Sequence, residues 1–202
     1  MNERVVGLSQ SIEIEFKNML TKHEYEVLLK KFNLDEKKIF SQENHYFDTE
    51  DFALKRQGCA LRIRRKVNSF EMTLKQPAAV GLLETNQVLS SEEAKQAIQT
   101  GRLPSGNISE IIKKSGIVLS DIQYFGSLVT RRAEISYKQG LIVIDHSIYL
   151  DHEDYELEFE VNDYDIGKKS FFEILQSFGI PERKTVNKIQ RFYNRKYPLT
   201  ST

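Results

Sequence analysis

In the stretch YELEFEV, Glu156, Glu158 and Glu160 alternate with Leu157, Phe159 and Val161. Successive side chains of a β-strand point to opposite faces, so this spacing sets three carboxylates on one face and an apolar row on the other. The pattern recurs. In SIEIEFK, Glu13, Glu15 and Lys17 oppose Ile12, Ile14 and Phe16; Arg62 and Arg64 oppose Leu61 and Ile63; Lys75 lies opposite Leu74. Arg132 aligns with Glu134, and Asp145 with Val143. A solvated outer face is the ordinary fate of such residues. Yet like charges about 7 Å apart on one strand are unfavourable unless opposite charge sits between them. A closed barrel with the charged faces inward and helices packed on its apolar outside resolves the conflict. Its cavity is lined by carboxylates on some strands and cations on others, and suits a polyanion with divalent metal ions.

The remaining elements fit that architecture. Thr21 and Glu24 form a capping box ahead of a helix in KHEYEVLLKKF, and Ser90 and Glu93 form another ahead of a helix running to about Thr100. ISEIIKKSG predicts a short helix closed by Gly116. NHYFDT, CALRIRRK, SFEMTLKQP and GLLETNQVL read as strands, with EDFALKRQG as a loop and Pro77 ending the third of them. GSLVTRRAEISYK, GLIVIDHSIYL and DYELEFEV follow as strands, the first two joined by a turn at Gln139 and Gly140. KKSFFEILQSFGI and TVNKIQRFYNRKY predict helices on either side of the Gly179-Ile180-Pro181 break. The expected fold is α+β: an eight-stranded antiparallel barrel with helices outside, in one domain spanning residues 1–202.

Composition narrows the function classes. With 29 basic and 29 acidic residues among 202, overall charge gives no support for a nucleic-acid or anionic-membrane partner. RIRRK is a candidate nucleic-acid patch, but Arg65 lies on the face away from Arg62, Arg64 and Lys66, and no aromatic platform is interleaved. The single cysteine, Cys59, excludes an intramolecular disulfide framework. MNERVVGLSQ has no signal-like apolar segment, no window approaches a membrane span, and YPLTST reads as a short tail, so a soluble cytoplasmic protein is expected. His23, His45, His146 and His152 have no zinc-ligand spacing.

Carboxylates on adjacent strands suit hard cations such as Mg²⁺ or Mn²⁺, and Arg and Lys suit phosphate oxygens. The reaction class is therefore metal-assisted phosphoryl or nucleotidyl transfer.

Taken in order, E-x-E-x-K (Glu13, Glu15, Lys17), YFDT, LRIRRK, TLK, TRRAEI, IVIDHS, YELEFEV and RKTVNKIQRF resemble the CYTH proteins, or triphosphate tunnel metalloenzymes. That family includes thiamine triphosphatases, inorganic triphosphatases and class IV adenylyl cyclases. The resemblance implies a triphosphate tunnel with Glu13, Glu15, Asp145, Glu156 and Glu158 on metal, and Lys17, Arg62, Arg64, Lys75, Arg132 and Lys184 on the triphosphate. Two alternatives stay open: Glu158 with Glu160 also satisfies E-x-E, and Lys188 lies four residues beyond Lys184. Arg131 is expected on the surface, Glu84 and Glu134 as orienters of the arginines, and Cys59 as a core or strand-end residue. Tyr46, on the same strand face as Asp48, is open between substrate contact and a structural hydrogen bond. The implied activity is hydrolysis of a small-molecule triphosphate, with ATP cyclisation as the alternative and a non-catalytic polyphosphate- or nucleotide-binding module as the third reading. No general base is identifiable, and the assembly is open between monomer and homodimer.

Overall fold

The computed structural model describes residues 8–198, so MNERVVG and the last four residues of YPLTST lie outside the described residues. The chain runs β1 (Leu8–Leu20), α1 (Lys22–Lys31), β2 (Ile39–Thr49), α2 (Ala53–Arg56), β3 (Ala60–Lys66), β4 (Ser69–Pro77) and β5 (Leu82–Leu89). It continues through α3 (Ser91–Thr100), α4 (Asn107–Lys114), β6 (Ile122–Tyr137), β7 (Gly140–Tyr149), β8 (His152–Val161), α5 (Tyr164–Ser177) and α6 (Lys188–Lys196). The strands form a closed antiparallel barrel in the order β1-β5-β4-β3-β2-β6-β7-β8, the architecture expected from the alternating faces.

Two units divide the chain, 8–12 with 43–127 and 13–42 with 128–198. In the first, Leu61 and Ile63 of β3 and Met72 and Leu74 of β4 are buried against Ala94 and Ala97 of α3 and Ile108 and Ile112 of α4. In the second, Ile142 and Ile144 of β7 and Leu157 and Phe159 of β8 pack with Leu28 of α1 and Phe171, Ile174 and Leu175 of α5. In each unit the apolar strand face is taken by helices, which leaves the charged face on the opposite side of the sheet. Both expected capping boxes form, at Thr21 with Glu24 and at Ser90 with Glu93. Such N-caps are worth about 1 kcal/mol each.

Several boundaries differ from the sequence reading. β1 extends to Leu20, beyond its alternating stretch, because it pairs with β8 from Ile14↔Val161 to Leu20↔Tyr155, and backbone pairing needs no side-chain pattern. Ile12 does not join the core; it is 52% exposed. The β6–β7 turn is Lys138-Gln139, not Gln139-Gly140, since Tyr137 pairs with Gly140 and the left-handed residue is Lys138 (φ 51). Gly140 is instead a strand residue under close approach, where a Cβ would lie 2.6 Å from the Glu160 carbonyl oxygen. The expected loop after β2 contains α2, whose amides are held by acceptors at its start: Asp48 takes the Leu54 and Lys55 N–H groups, and the Thr49 hydroxyl oxygen takes that of Ala53. α5 begins four residues earlier than expected, because the Asp163 side chain caps it by accepting from the Ile166 amide.

The last helix begins later than expected, at Lys188. Asn187 caps it by accepting from the Gln190 amide, and the preceding segment is tied to β1. Thr185 Oγ1 accepts from the Met19 amide, and the Arg183 amide donates to Asn18 Oδ1. Arg183 also donates to the Met19 carbonyl oxygen and pairs with Glu24. Among the described residues, no helix is long and apolar enough to cross a membrane.

Candidate active site

In the second unit the register assembles a buried acidic group. Asp145 on β7 pairs across with Arg132 on β6 and Glu156 on β8, while Glu158 on β8 lies opposite Lys17 on β1. The relative exposures of Asp145, Glu156 and Glu158 are 0%, 0% and 5%, and one carboxylate oxygen from each lies within 4.8 Å of the others. Among the described residues this is the group of His, Cys, Asp or Glu side chains close enough to share a metal ion.

Three cations close around this trio. Arg132 donates from Nε to Asp145 Oδ1 at 2.8 Å, and from Nη2 to Asp145 Oδ2 at 2.7 Å and Glu158 Oε2 at 2.8 Å. Lys188, the first residue of α6, sets its ammonium on Asp145 Oδ2 at 2.9 Å and also on Glu156 and Glu158. Arg191 forks onto Glu156 and onto Asp154, whose Oδ2 also accepts from the Tyr149 hydroxyl. Burial works to lower the Lys188 pKa, but Asp145, Glu156 and Glu158 outweigh it and raise it well above the usual lysine value. Burial works to raise the Glu158 pKa, and Lys188, Arg132 and Lys17 outweigh it, holding the carboxyl well below the usual range.

The E-x-E-x-K residues belong to the same unit. Glu15 pairs in register with Glu160, and its carboxylate is bonded by Lys17. Burial, with the charges of Glu158, Glu13 and Glu15 added, pushes Glu160 up to about 7 against the pull of Arg132. Glu160 stands apart from the trio, 4.0 Å from Arg132 Nη1. Lys184 is exposed on the segment before α6, whereas Lys188 enters the acidic group.

The first unit carries the other cations. Lys75 on β4 faces Glu84 on β5 across the ladder, with its Nζ 2.8 Å from Glu84 Oε1; Arg62 Nη2 lies 3.8 Å from the same oxygen. Arg64 donates from Nε to Asn44 Oδ1 at 2.9 Å and lies opposite Glu71 in register. Burial works to raise the Glu84 pKa, but Lys75, Arg62 and Arg64 outweigh it and hold the carboxyl below the usual range. Arg62 Nε is buried without a hydrogen-bond partner among the described residues. A guanidinium N–H left in that state fits an anionic ligand.

The other singled-out residues separate clearly. Arg131 is half-exposed and pairs with Glu36, away from the acidic trio. Glu134 lies 3.9 Å from Arg132 Nη1. Asp48 caps α2, and Tyr46 is buried at 3% exposure. Cys59 is part-buried beside the first core, and burial raises its thiol pKa, the opposite of nucleophile activation. Arg191 and Asp154 were missed in the sequence. A signal for each was present: Asp154 extends the acidic alternation by two residues, and Arg191 lies three after Lys188, one turn along a helix.

The chain matches the CYTH domain family over residues 11–193. It is 51% identical over 189 residues to YjbK of Bacillus subtilis (strain 168), named as a proposed triphosphatase, covering 94% of this chain and 98% of that one. A crystal structure of a proposed adenylate cyclase from Bacillus halodurans has a TM-score of 0.88 and 46% identity, covering 91% of this chain and 98% of the other. HpAC1 from Hippeastrum, a proposed adenylyl cyclase described as having a dominant triphosphatase activity, shares the fold at a TM-score of 0.76 and 20% identity, covering 91% of this chain and 96% of the other. The chain belongs to the CYTH domain family.

Proposed function

We propose that this protein hydrolyses a triphosphate, inorganic or a small organic one, with the help of Mg²⁺ or Mn²⁺. The observation that carries the reading is the buried trio Asp145, Glu156 and Glu158, with ligand atoms within 4.8 Å of one another. An all-oxygen, all-carboxylate set fits a hard divalent cation and gives zinc none of its preferred nitrogen or sulfur ligands. Glu13 and Glu15 add further carboxylate oxygens. When bound, such an ion supplies charge against phosphate oxygens and makes water more acidic.

The chain's own residues bind and orient the substrate. Arg62, Arg64 and Lys75 take phosphate oxygens, Arg62 through the N–H that lacks a protein partner. Lys17 and Arg132 add positive charge, and Lys188 takes the part first assigned to Lys184. Glu84 keeps Lys75 and Arg62 in place.

The test is product analysis with inorganic triphosphate, thiamine triphosphate and ATP, each with Mg²⁺ or Mn²⁺. Inorganic triphosphate should be cleaved to pyrophosphate and phosphate with higher kcat/KM than any conversion of ATP. The likeness to the Bacillus halodurans protein favours a second reading, cyclisation of ATP. Cyclic AMP as the main product, with inorganic triphosphate only inhibiting, would establish that second reading and overturn the first.

A further inference from the structure

All six oxygens of the carboxylate trio are already engaged by protein cations. Arg132 takes both oxygens of Asp145 and one of Glu158; Lys188 takes the other Glu158 oxygen; Arg191 takes both oxygens of Glu156. Lys188 also shares Asp145 Oδ2 and Glu156 Oε2. The three carboxylates thus meet three cations, one of which, Arg191, is shared with the buried Asp154, so the connected set of four carboxylates carries one net negative charge. A divalent ion added to this arrangement would find every oxygen of the trio already taken and would leave the set with an uncompensated positive charge in a buried place, which is unfavourable. One protein cation must therefore withdraw when the metal enters.

The three cations differ in how firmly they are held. Arg132 and Arg191 bind through rigid forks, and Arg191 is further tied to Asp154 and to the Val186 carbonyl oxygen. Lys188 is a point charge on a flexible stem, and its ion pairs are all with the trio. Moving its ammonium off the carboxylates is costly unless another anion receives it. A phosphate oxygen is such an anion.

Resting on the reading of the trio as a metal site, we propose that Lys188 is a built-in counter-ion. It holds the carboxylates against divalent metal until a polyphosphate takes its ammonium, so that metal and polyphosphate bind together rather than independently. Lys188 is then more than a phosphate ligand: it couples the two occupants of the site.

The coupling is read without turnover, by Mn²⁺ binding followed by electron paramagnetic resonance, using imidotriphosphate as a polyphosphate that resists hydrolysis. In the absence of any phosphate, Lys188→Met should bind Mn²⁺ about tenfold or more tighter than the unsubstituted protein, within the range of ordinary coupling. Lys188→Arg, which keeps the charge, should bind it no more tightly than the unsubstituted protein. Metal-free imidotriphosphate should bind more weakly to Lys188→Met. Equal Mn²⁺ affinity in the unsubstituted protein and Lys188→Met would overturn the counter-ion role while leaving the metal site standing. Failure of every variant to bind Mn²⁺, even with imidotriphosphate, would overturn the site itself. Should Lys188→Met not fold, the side-chain ammonium signal of Lys188 in the unsubstituted protein decides by nuclear magnetic resonance. Mg²⁺ with imidotriphosphate should shift it and Mg²⁺ alone should not; a shift with Mg²⁺ alone would overturn the proposal.

Discussion

The two units carry the same device, a strand face of charge backed by an apolar face under helices, but they compensate that charge differently. In the second unit Asp145, Glu156 and Glu158 are matched oxygen by oxygen to Arg132, Lys188 and Arg191. In the first, Glu84 is shared between Lys75 and Arg62, and Arg62 Nε has no partner among the described residues. One set is closed on itself; the other keeps binding capacity in reserve. The difference teaches that a charged strand face can hold its ligand positions with its own counter-ions or leave a donor open for a ligand, and that the count of satisfied polar atoms tells which.

The comparison breaks most visibly if the acidic set proves dispensable. Glu15→Gln and Glu158→Gln remove ligand charge with little change in volume, and each should abolish turnover. Circular dichroism of Glu15→Gln should remain that of the folded protein. Near-normal turnover in a folded Glu158→Gln protein would remove the trio from the reaction.

A second contrast sets one arginine from each unit side by side. Arg191→Met strips the fork from Asp154 and Glu156, and breaking a buried pair typically costs about 3–5 kcal/mol, measurable by urea unfolding. Arg62→Met relieves a cluster rich in positive charge, so unfolding should change little. Its effect should fall on the substrate: losing a hydrogen bond between charged groups weakens affinity by about 1.5–3 kcal/mol. Arg131→Ala, on the helix side and paired with Glu36, should leave kcat/KM nearly unchanged. If Arg62→Met instead unfolds the protein at lower urea while substrate affinity holds, the two units are alike and the contrast fails.

These assignments depended on different sequence signals. The acidic alternation from Glu156 was legible because period two fixes the face of a strand whatever its partners are. β4 was read from Ser69 to Pro77 as it stands, since alternation and a proline mark both its body and its end. The boundary of α6 was not legible in the same way. TVNKIQRFY has helical character from Thr185, but the Thr185 hydroxyl is taken up by the Met19 amide and Asn187 becomes the cap. That long-range contact moves the helix start by three residues and decides that Lys188, not Lys184, meets the carboxylates. The turn before β7 was misplaced because a glycine suggested it, whereas Gly140 is required by the Glu160 backbone and the Phe159 ring beside it. Inside α5, a Cβ on Gly167 would lie 2.4 Å from Val161 Cγ2, so this glycine too marks a close approach of neighbouring chain. In both places tertiary approach, invisible in local sequence, chose the residue.

The smallest expected effect comes from the apolar side of the first unit, where charge is least welcome. His45 sits on β2 opposite Ile63, at 7% exposure, with Nδ1 3.2 Å from the Tyr124 hydroxyl. Burial lowers its pKa from the usual 6.5, with Arg65 acting in the same direction and Glu43 opposing. The unfolded chain therefore takes up a proton at a higher pH than the folded one. Stability from neutral His45 is fully present above the unfolded value and is lost as pH falls from about 6.5 toward the folded pKa, by at most about 1.4 kcal/mol per pH unit for one proton. His45→Gln keeps a polar side chain but cannot titrate, so its stability should fall less than that of the unsubstituted protein between pH 7 and pH 5. Subtracting the two urea-unfolding curves cancels the contribution of every group the proteins share. If the difference is flat across that window, His45 takes up its proton as readily in the folded as in the unfolded chain, and the helix-facing side of the first unit tolerates charge as readily as its opposite face.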